Sequence, residues 1–203
     1  MLIVAVIVSL MAGGVIGFFL GIASTKAGAR SLSDIVEQEA PAKTDNPTRL
    51  VRDRFELLYP ANWTMDVVDE DYDPDQMFAI ESPGAAFVMF VFGDMETDPV
   101  ESLQTQIDGF SKLMAESAIQ PFENYGKLPG KGAVLQGRIL GTKVTVKAFA
   151  CYSQGMTVII VQQYPDKDFR YVKDGLILIE ESFVLKPSKQ EHTPNKPDSG
   201  AGL

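Results

Sequence analysis

Cysteine is almost absent from this chain of 203 residues: Cys151 stands alone, so no intramolecular disulfide can form. It sits in an apolar, strand-like run, which marks it as a small buried hydrophobe rather than a nucleophile. Histidine is equally scarce. His192 is the only one, and its Pro- and Lys-containing surroundings offer nothing to hold an imidazole as the base of a Cys–His or Ser–His pair. Basic residues are outnumbered, with 18 Lys and Arg against 27 Asp and Glu and a formal charge of −9. That balance excludes a basic stripe for neutralising phosphates, and with it nucleic acid. It also argues against a peripheral domain held by charge on anionic lipid. No internal repeat is present.

What the chain does have is one long apolar run, residues 2–23, LIVAVIVSLMAGGVIGFFLGIA, with no charge and Ser9 as its only side-chain hydrogen-bonding group. As a helix it would be roughly 33 Å long, enough for a hydrocarbon core of about 30 Å. A soluble core helix is seldom apolar on every face for this length. The reading is a single transmembrane helix over 1–24. Ala27-Gly28-Ala29 has the form of a signal-cleavage site, but the start carries no Lys or Arg and the run exceeds the usual signal core, so retention as an anchor is expected. Gly13, Gly17 and Gly21 recur every four residues and would share one helix face, a candidate contact for a homodimer in the membrane. Lys26 and Arg30 stand on the C-terminal side of the run while no basic residue precedes it, which favours a cytoplasmic position for the rest of the chain.

Composition shifts over residues 25–54 toward Ser, Ala, Lys, Asp and Pro, which reads as a flexible tether. A folded domain is expected over 55–185 and a disordered, Pro-rich tail over 186–203. Within the domain, FELLYP alternates Phe55, Leu57 and Tyr59 as a half-buried strand ending at Pro60. Trp63 is expected to close the core at the next corner. TMD, MFAIES and AFVMFVFGD read as further strands, the last apolar on both faces and therefore central, with cover needed on each side. Asp98 with Pro99 marks a helix start, and Val100, Leu103, Ile107, Phe110 and Met114 give it one apolar stripe, with an end near Ser117. PFENYGKLPGKG reads as a turn-rich crossing. Three strands come next, with turns at Gly141-Thr142 and Gln154-Gly155. A last helix over 168–182 carries Phe169, Val172, Leu176, Ile179 and Phe183 on one face, with Gly175 allowing close approach to the sheet.

Between the second and third strands lies an acidic stretch in which Asp69, Asp71, Asp73 and Asp75 alternate as oxygen ligands do in a calcium loop. Pro74 stands where such a loop needs a sharp-turning Gly, and Ile80 where it needs a bidentate Glu. A solvated acidic loop is expected instead, with no metal and no cofactor.

FELLYPANW (55–63), the strand-rich block 134–165 and the closing ILIEESF (177–183) resemble the superfamily of the photosystem II extrinsic protein PsbP, the Ran-binding protein Mog and DcrB-type bacterial periplasmic proteins. The resemblance implies an α+β fold: an antiparallel sheet flanked by helices in an α/β/α arrangement. It implies binding, assembly or regulatory roles rather than catalysis, and work outside the cytoplasm, in opposition to the charge bias of Lys26 and Arg30. No family site residue maps onto this chain. The expected function is a non-enzymatic, membrane-anchored accessory module with a protein partner. The alternatives are a small-molecule or lipid carrier and, third, a metal-dependent hydrolase using the 69–75 acids.

Overall fold

The computed structural model describes residues 5–11, 15–21, 38–66, 75–93 and 98–187. The elements in chain order are β1 (Ala5–Met11), β2 (Val15–Gly21), β3 (Thr48–Val51), β4 (Phe55–Tyr59), β5 (Thr64–Asp66), β6 (Met77–Glu81), β7 (Phe87–Gly93), α1 (Pro99–Leu113), β8 (Ala115–Tyr125), β9 (Leu128–Ile139), β10 (Thr142–Ser153), β11 (Met156–Pro165), α2 (Phe169–Ser182) and β12 (Val184–Leu185).

Seven strands form one antiparallel sheet in the order β5-β6-β7-β11-β10-β9-β8. At its middle the apolar run of β7 pairs with β11, and both are buried on both faces, as the sequence pattern requires. Alternation sorts the side chains. Val88, Phe90 and Phe92 join Phe55, Leu57, Val172, Leu176, Ile179 and Phe183 in one core, beneath α2 and the small sheet β12-β4-β3. Met89, Ile159 and Val161 join Leu103, Phe110 and Met114 in the other, beneath α1. The first core is built on rings: Phe55–Phe92, Phe78–Phe90 and Phe90–Phe183 have centroids 4.8–4.9 Å apart, and Phe55–Phe78 5.2 Å.

α1 begins as expected, with the Asp98 carboxylate accepting from the Val100 backbone N–H at 2.8 Å and Pro99 in the first turn. It ends at Leu113, four residues earlier than expected near Ser117, and Val100 lies outside its buried stripe at 59% exposure. The crossing expected over PFENYGKLPGKG is instead a long β-hairpin, β8–β9, turning at Gly126-Lys127. Pro121 is tolerated there because β8 is the sheet edge. The next two hairpins turn on Leu140-Gly141 and Gln154-Gly155, with positive φ at all four residues, the geometry of type I′ turns.

The structure departs from two further sequence expectations. Ala5–Met11 and Val15–Gly21 are paired antiparallel strands, not one helix, and no helix among the described residues is long and apolar enough to cross a membrane. Val6, Ile7, Val8, Val15 and Ile16 are β-branched and strand-favouring, and Gly13-Gly14 interrupts the run at a cost of about 1 kcal/mol per glycine in a helix. Likewise, the packed part of the domain begins at Glu39 rather than at Phe55. Glu39 is buried, the Ala42 N–H donates to the Tyr171 carbonyl at 2.9 Å, the Lys43 N–H to Asn62 Oδ1 at 2.8 Å, and Thr48–Val51 pairs with β4. Polar residues with satisfied backbone groups hold this segment down, which a composition reading cannot see.

Trp63 is buried at the corner after Pro60, as expected. The close approach at Gly175 is to this corner rather than to the large sheet. A Cβ there would lie 2.8 Å from Pro60 Cγ, 2.8 Å from Trp63 Cζ2 and 3.0 Å from Ala42 Cβ. Gly175→Ala should therefore destabilise by about 1–3 kcal/mol in urea unfolding, although alanine gains about 1 kcal/mol in helix propensity. Unchanged or increased stability would show that the corner gives way.

Candidate functional site

On β10 the odd positions Thr145, Lys147, Phe149 and Cys151 face the α2 side, while Val144, Val146, Ala148 and Ala150 face α1. Lys147 thus places a cation in a row that ends in the core, and its surroundings are built to receive it. Its Nζ donates to both Glu180 carboxylate oxygens, at 2.7 and 2.6 Å, and lies 4.8 Å from the Phe122 and 5.2 Å from the Tyr125 ring centroid. Each side chain of the pair is 22% exposed. Glu180 also accepts from the Gly126 N–H at 3.2 Å, and a Cβ at Gly126 (φ 56°) would lie 2.2 Å from the Glu180 carbonyl oxygen. Beside them Gln162 Nε2 donates to the Tyr125 hydroxyl at 2.7 Å. Burial first, and then the Glu180 charge, pushes the Tyr125 phenol well above its ordinary range.

This cluster fixes the β8–β9 hairpin to α2. Its ammonium is bound by a carboxylate and capped by two rings, so it offers neither a lone pair nor an open face. A second polar pin lies at the β6–β7 turn, where Ser82 Oγ donates to Glu39 Oε2 at 2.7 Å and the Ala85 N–H to the same oxygen at 3.3 Å. Neither pin is visible in the sequence, because both join residues more than 30 positions apart. The only available signal is a lysine breaking an apolar alternation.

Of the acidic stretch the structure describes only Asp75. Asp69, Asp71 and Asp73 lie outside the described residues; Asp75 stands 3.6 Å from Arg52 Nε, on the rim of a shallow recess of about 440 Å³ lined by Val51, Arg52, Asp53, Asp75 and Lys186. Among the described residues no three His, Cys, Asp or Glu side chains are arranged to hold a metal ion. Lys186 in that recess donates to the Arg52 carbonyl at 2.9 Å and approaches Glu56 at 3.6 Å. Glu56 is held below the usual carboxylate range, chiefly by the Arg49 hydrogen bond. Of the expected dimer face, Gly13 lies outside the described residues, while Gly17 and Gly21 are strand positions paired with Ser9 and Ala5. His192, Ala29, Lys26 and Arg30 also lie outside them. Cys151 is buried as expected, and burial pushes its thiol up from an ordinary 9 to about 11.

The arrangement defines a class first: an antiparallel sheet with a helix layer on each face, pinned by one half-buried ion pair and a buried carboxylate–hydroxyl hydrogen bond. No known family profile and no curated protein matches the sequence. Among solved structures, the Ran-binding protein Mog1p of Saccharomyces cerevisiae is similar at a TM-score of 0.50 and 9% identity, over 70% of this chain and 96% of that one. The Synechocystis PsbP (CyanoP) matches at 0.43 and 10%, over 82% and 100%, and Mycobacterium tuberculosis LpqN, involved in cell envelope biogenesis, at 0.40 and 16%, over 79% and 100%. The fold is that of Mog1p.

Lys147→Met and Glu180→Gln should each cost about 1–3 kcal/mol in denaturant unfolding, less than a fully buried pair, with a favourable coupling in the double-mutant cycle. Purely additive effects would show that the pair is surface decoration. The Cys151 pKa is higher folded than unfolded, so its contribution to native stability is fully present below pH 9 and is lost as pH rises from 9 through about 11. A disulfide reagent at pH 8 should label it only after denaturation; rapid labelling of the native protein would contradict its burial.

Proposed function

We propose that this protein is a non-enzymatic accessory module, anchored in a membrane by residues 2–23, whose domain binds a protein partner and assists assembly or regulation of a membrane-associated complex. The observation that carries the reading is a 22-residue uncharged apolar run joined to a domain with the fold of a Ran-binding protein. The domain's reactive groups are absorbed by its own structure: Cys151 is buried, Tyr125 bonds to Gln162, and Lys147 pairs with Glu180. A carrier role finds no support in the ring-to-ring packing between sheet and α2.

The strand pairing of Ala5–Met11 with Val15–Gly21 does not suit a bilayer. Each strand of a two-stranded sheet has an outer edge of backbone groups, and each unsatisfied group costs several kcal/mol in hydrocarbon. A helix over the same residues satisfies nearly all of them internally. We infer that this segment is helical in lipid, with Gly13, Gly17 and Gly21 on one face for a close homodimer. Lys26 and Arg30 weigh for the cytoplasmic side, and the resemblance to proteins that work outside the cytoplasm weighs against it; a C-terminal alkaline-phosphatase fusion reads the side directly.

The full chain should float with membranes through carbonate extraction, while a chain lacking residues 2–23 should not. Cross-linking in native membranes with the anchor intact should return the same protein partner repeatedly. Repeated return of no partner would remove the binding role, and loss of the full chain to the carbonate supernatant would remove the anchor. Gly17→Ile should reduce dimer cross-linking within the membrane several-fold while leaving flotation intact.

A further inference from the structure

The end of the large sheet at which the packed domain begins carries a surface that the fold does not explain. At the β9–β10 tip Leu140 is 88% exposed and holds a φ of 48°, in the left-handed region where Asn or Gly is the ordinary occupant. An apolar residue is thus both strained and solvated. Arg138 and Lys143 stand directly opposite each other on the two strands leading to this tip, and like charges in that position repel. Arg138 donates to the Gly141 carbonyl at 3.1 Å, bracing the turn. The C-terminus of α1 adds exposed Lys112 and Leu113 at the same end, since Ala115 pairs with Arg138 and a Cβ at Gly137 would lie 3.1 Å from Met114 Cβ. The same end also carries Asp166, which accepts from Thr145 Oγ1 at 2.8 Å and keeps its charge, together with Lys167, Asp168 and Glu116. In a chain of net charge −9, Lys112, Arg138 and Lys143 gather around exposed Leu113 and Leu140 at this corner.

The N-terminal connection leaves from the same end. Glu39 is fastened to the β6–β7 turn by Ser82 and Ala85, Phe87 pairs with Gln163, and Pro165 pairs with Val144. The two turns are therefore at one edge of the sheet, about 14 Å apart at three strand spacings. From residue 23 to residue 38 the chain spans at most about 50 Å. The acidic stretch and the C-terminus of the domain leave from the opposite end, beyond Asp66, Met77 and Leu185.

We propose that the β9–β10 tip is a membrane contact: Leu140 and Leu113 seat in the interface of the bilayer, with Lys112, Arg138 and Lys143 on anionic headgroups, orienting the domain with its acidic end outward. This rests on the anchoring proposed above. An amphipathic surface with basic flanks is the chemistry an anionic bilayer recognises, and the overall negative charge of the chain confines the attraction to this corner.

The test uses the full chain in vesicles of phosphatidylcholine with and without phosphatidylglycerol. An environment-sensitive dye is placed on Leu140→Cys or, at the opposite end of β10, on Tyr152→Cys; buried Cys151 stays in place. Quenching by headgroup-labelled lipid should be several-fold stronger at 140 than at 152, should need phosphatidylglycerol, and should fall with salt and in Arg138→Gln/Lys143→Gln. Equal quenching at both positions in protein that floats with the vesicles overturns the proposal and leaves the anchor standing. Protein that does not float sinks the anchor; phosphatidylglycerol-dependent quenching at 140 on added vesicles would then still support the tip contact, and its absence would remove both. Dye protection at 140 that needs no vesicles and grows with protein concentration assigns the tip to a second copy and overturns the proposal.

Discussion

A strand buried on both faces is the constraint on which the rest of this structure depends. Phe90 on β7 faces one core and Met89 the other, so the sheet cannot rest on a single layer. Its two faces are covered by unlike means. α1 lies on one with Leu103, Phe110 and Met114; the other needs α2 together with the small sheet of β3, β4 and β12, whose Phe55 stacks against both Phe78 and Phe92. The stacked face is filled with rings, and the Lys147–Glu180 pin lies on it.

Those pins solve a problem that hydrophobic burial leaves open. Apolar contacts are non-directional and tolerate sliding of one element over another. Lys147 bound to Glu180 and Gly126 bound to the same carboxylate fix one register between the β8–β9 hairpin and α2. Glu39 on Ser82 does the same for the segment leading in from the N-terminus. Leaving either carboxylate unpaired in its half-buried or buried place would cost more than the bond itself contributes, so each pin is a discriminator between arrangements as much as a source of stability.

The sequence is legible where local physics decides. The Asp98–Pro99 helix start, the alternation in FELLYP, the doubly apolar run of β7, the α2 stripe from Val172 onward (Phe169, at its start, is exposed) and the glycine turn at Gln154-Gly155 are all local patterns, and each is found in the structure. The fold class rests on them. What escapes depends on partners distant in the chain. β8 is exposed on both faces through most of its length, so no alternation marks it, and only its pairing with β9 makes it a strand. Glu39 and Lys43 read as tether residues because their partners, Ser82 and Asn62, lie far along the chain.

The N-terminal run displays the same limit from the solvent's side. Residues 2–23 satisfy an apolar criterion that does not itself choose between helix and strand, and their β-branched residues favour the strand pairing of Ala5–Met11 with Val15–Gly21. The choice is made by whatever surrounds the outer edges of those strands. Water can hydrogen-bond to them; hydrocarbon cannot, and there the helix is the form that closes its own backbone. Conformation and location are therefore one question for this segment. Glu39 is fastened at the same sheet end as the exposed Leu140 tip, so an anchor in residues 2–23 would bring that end of the domain toward the bilayer.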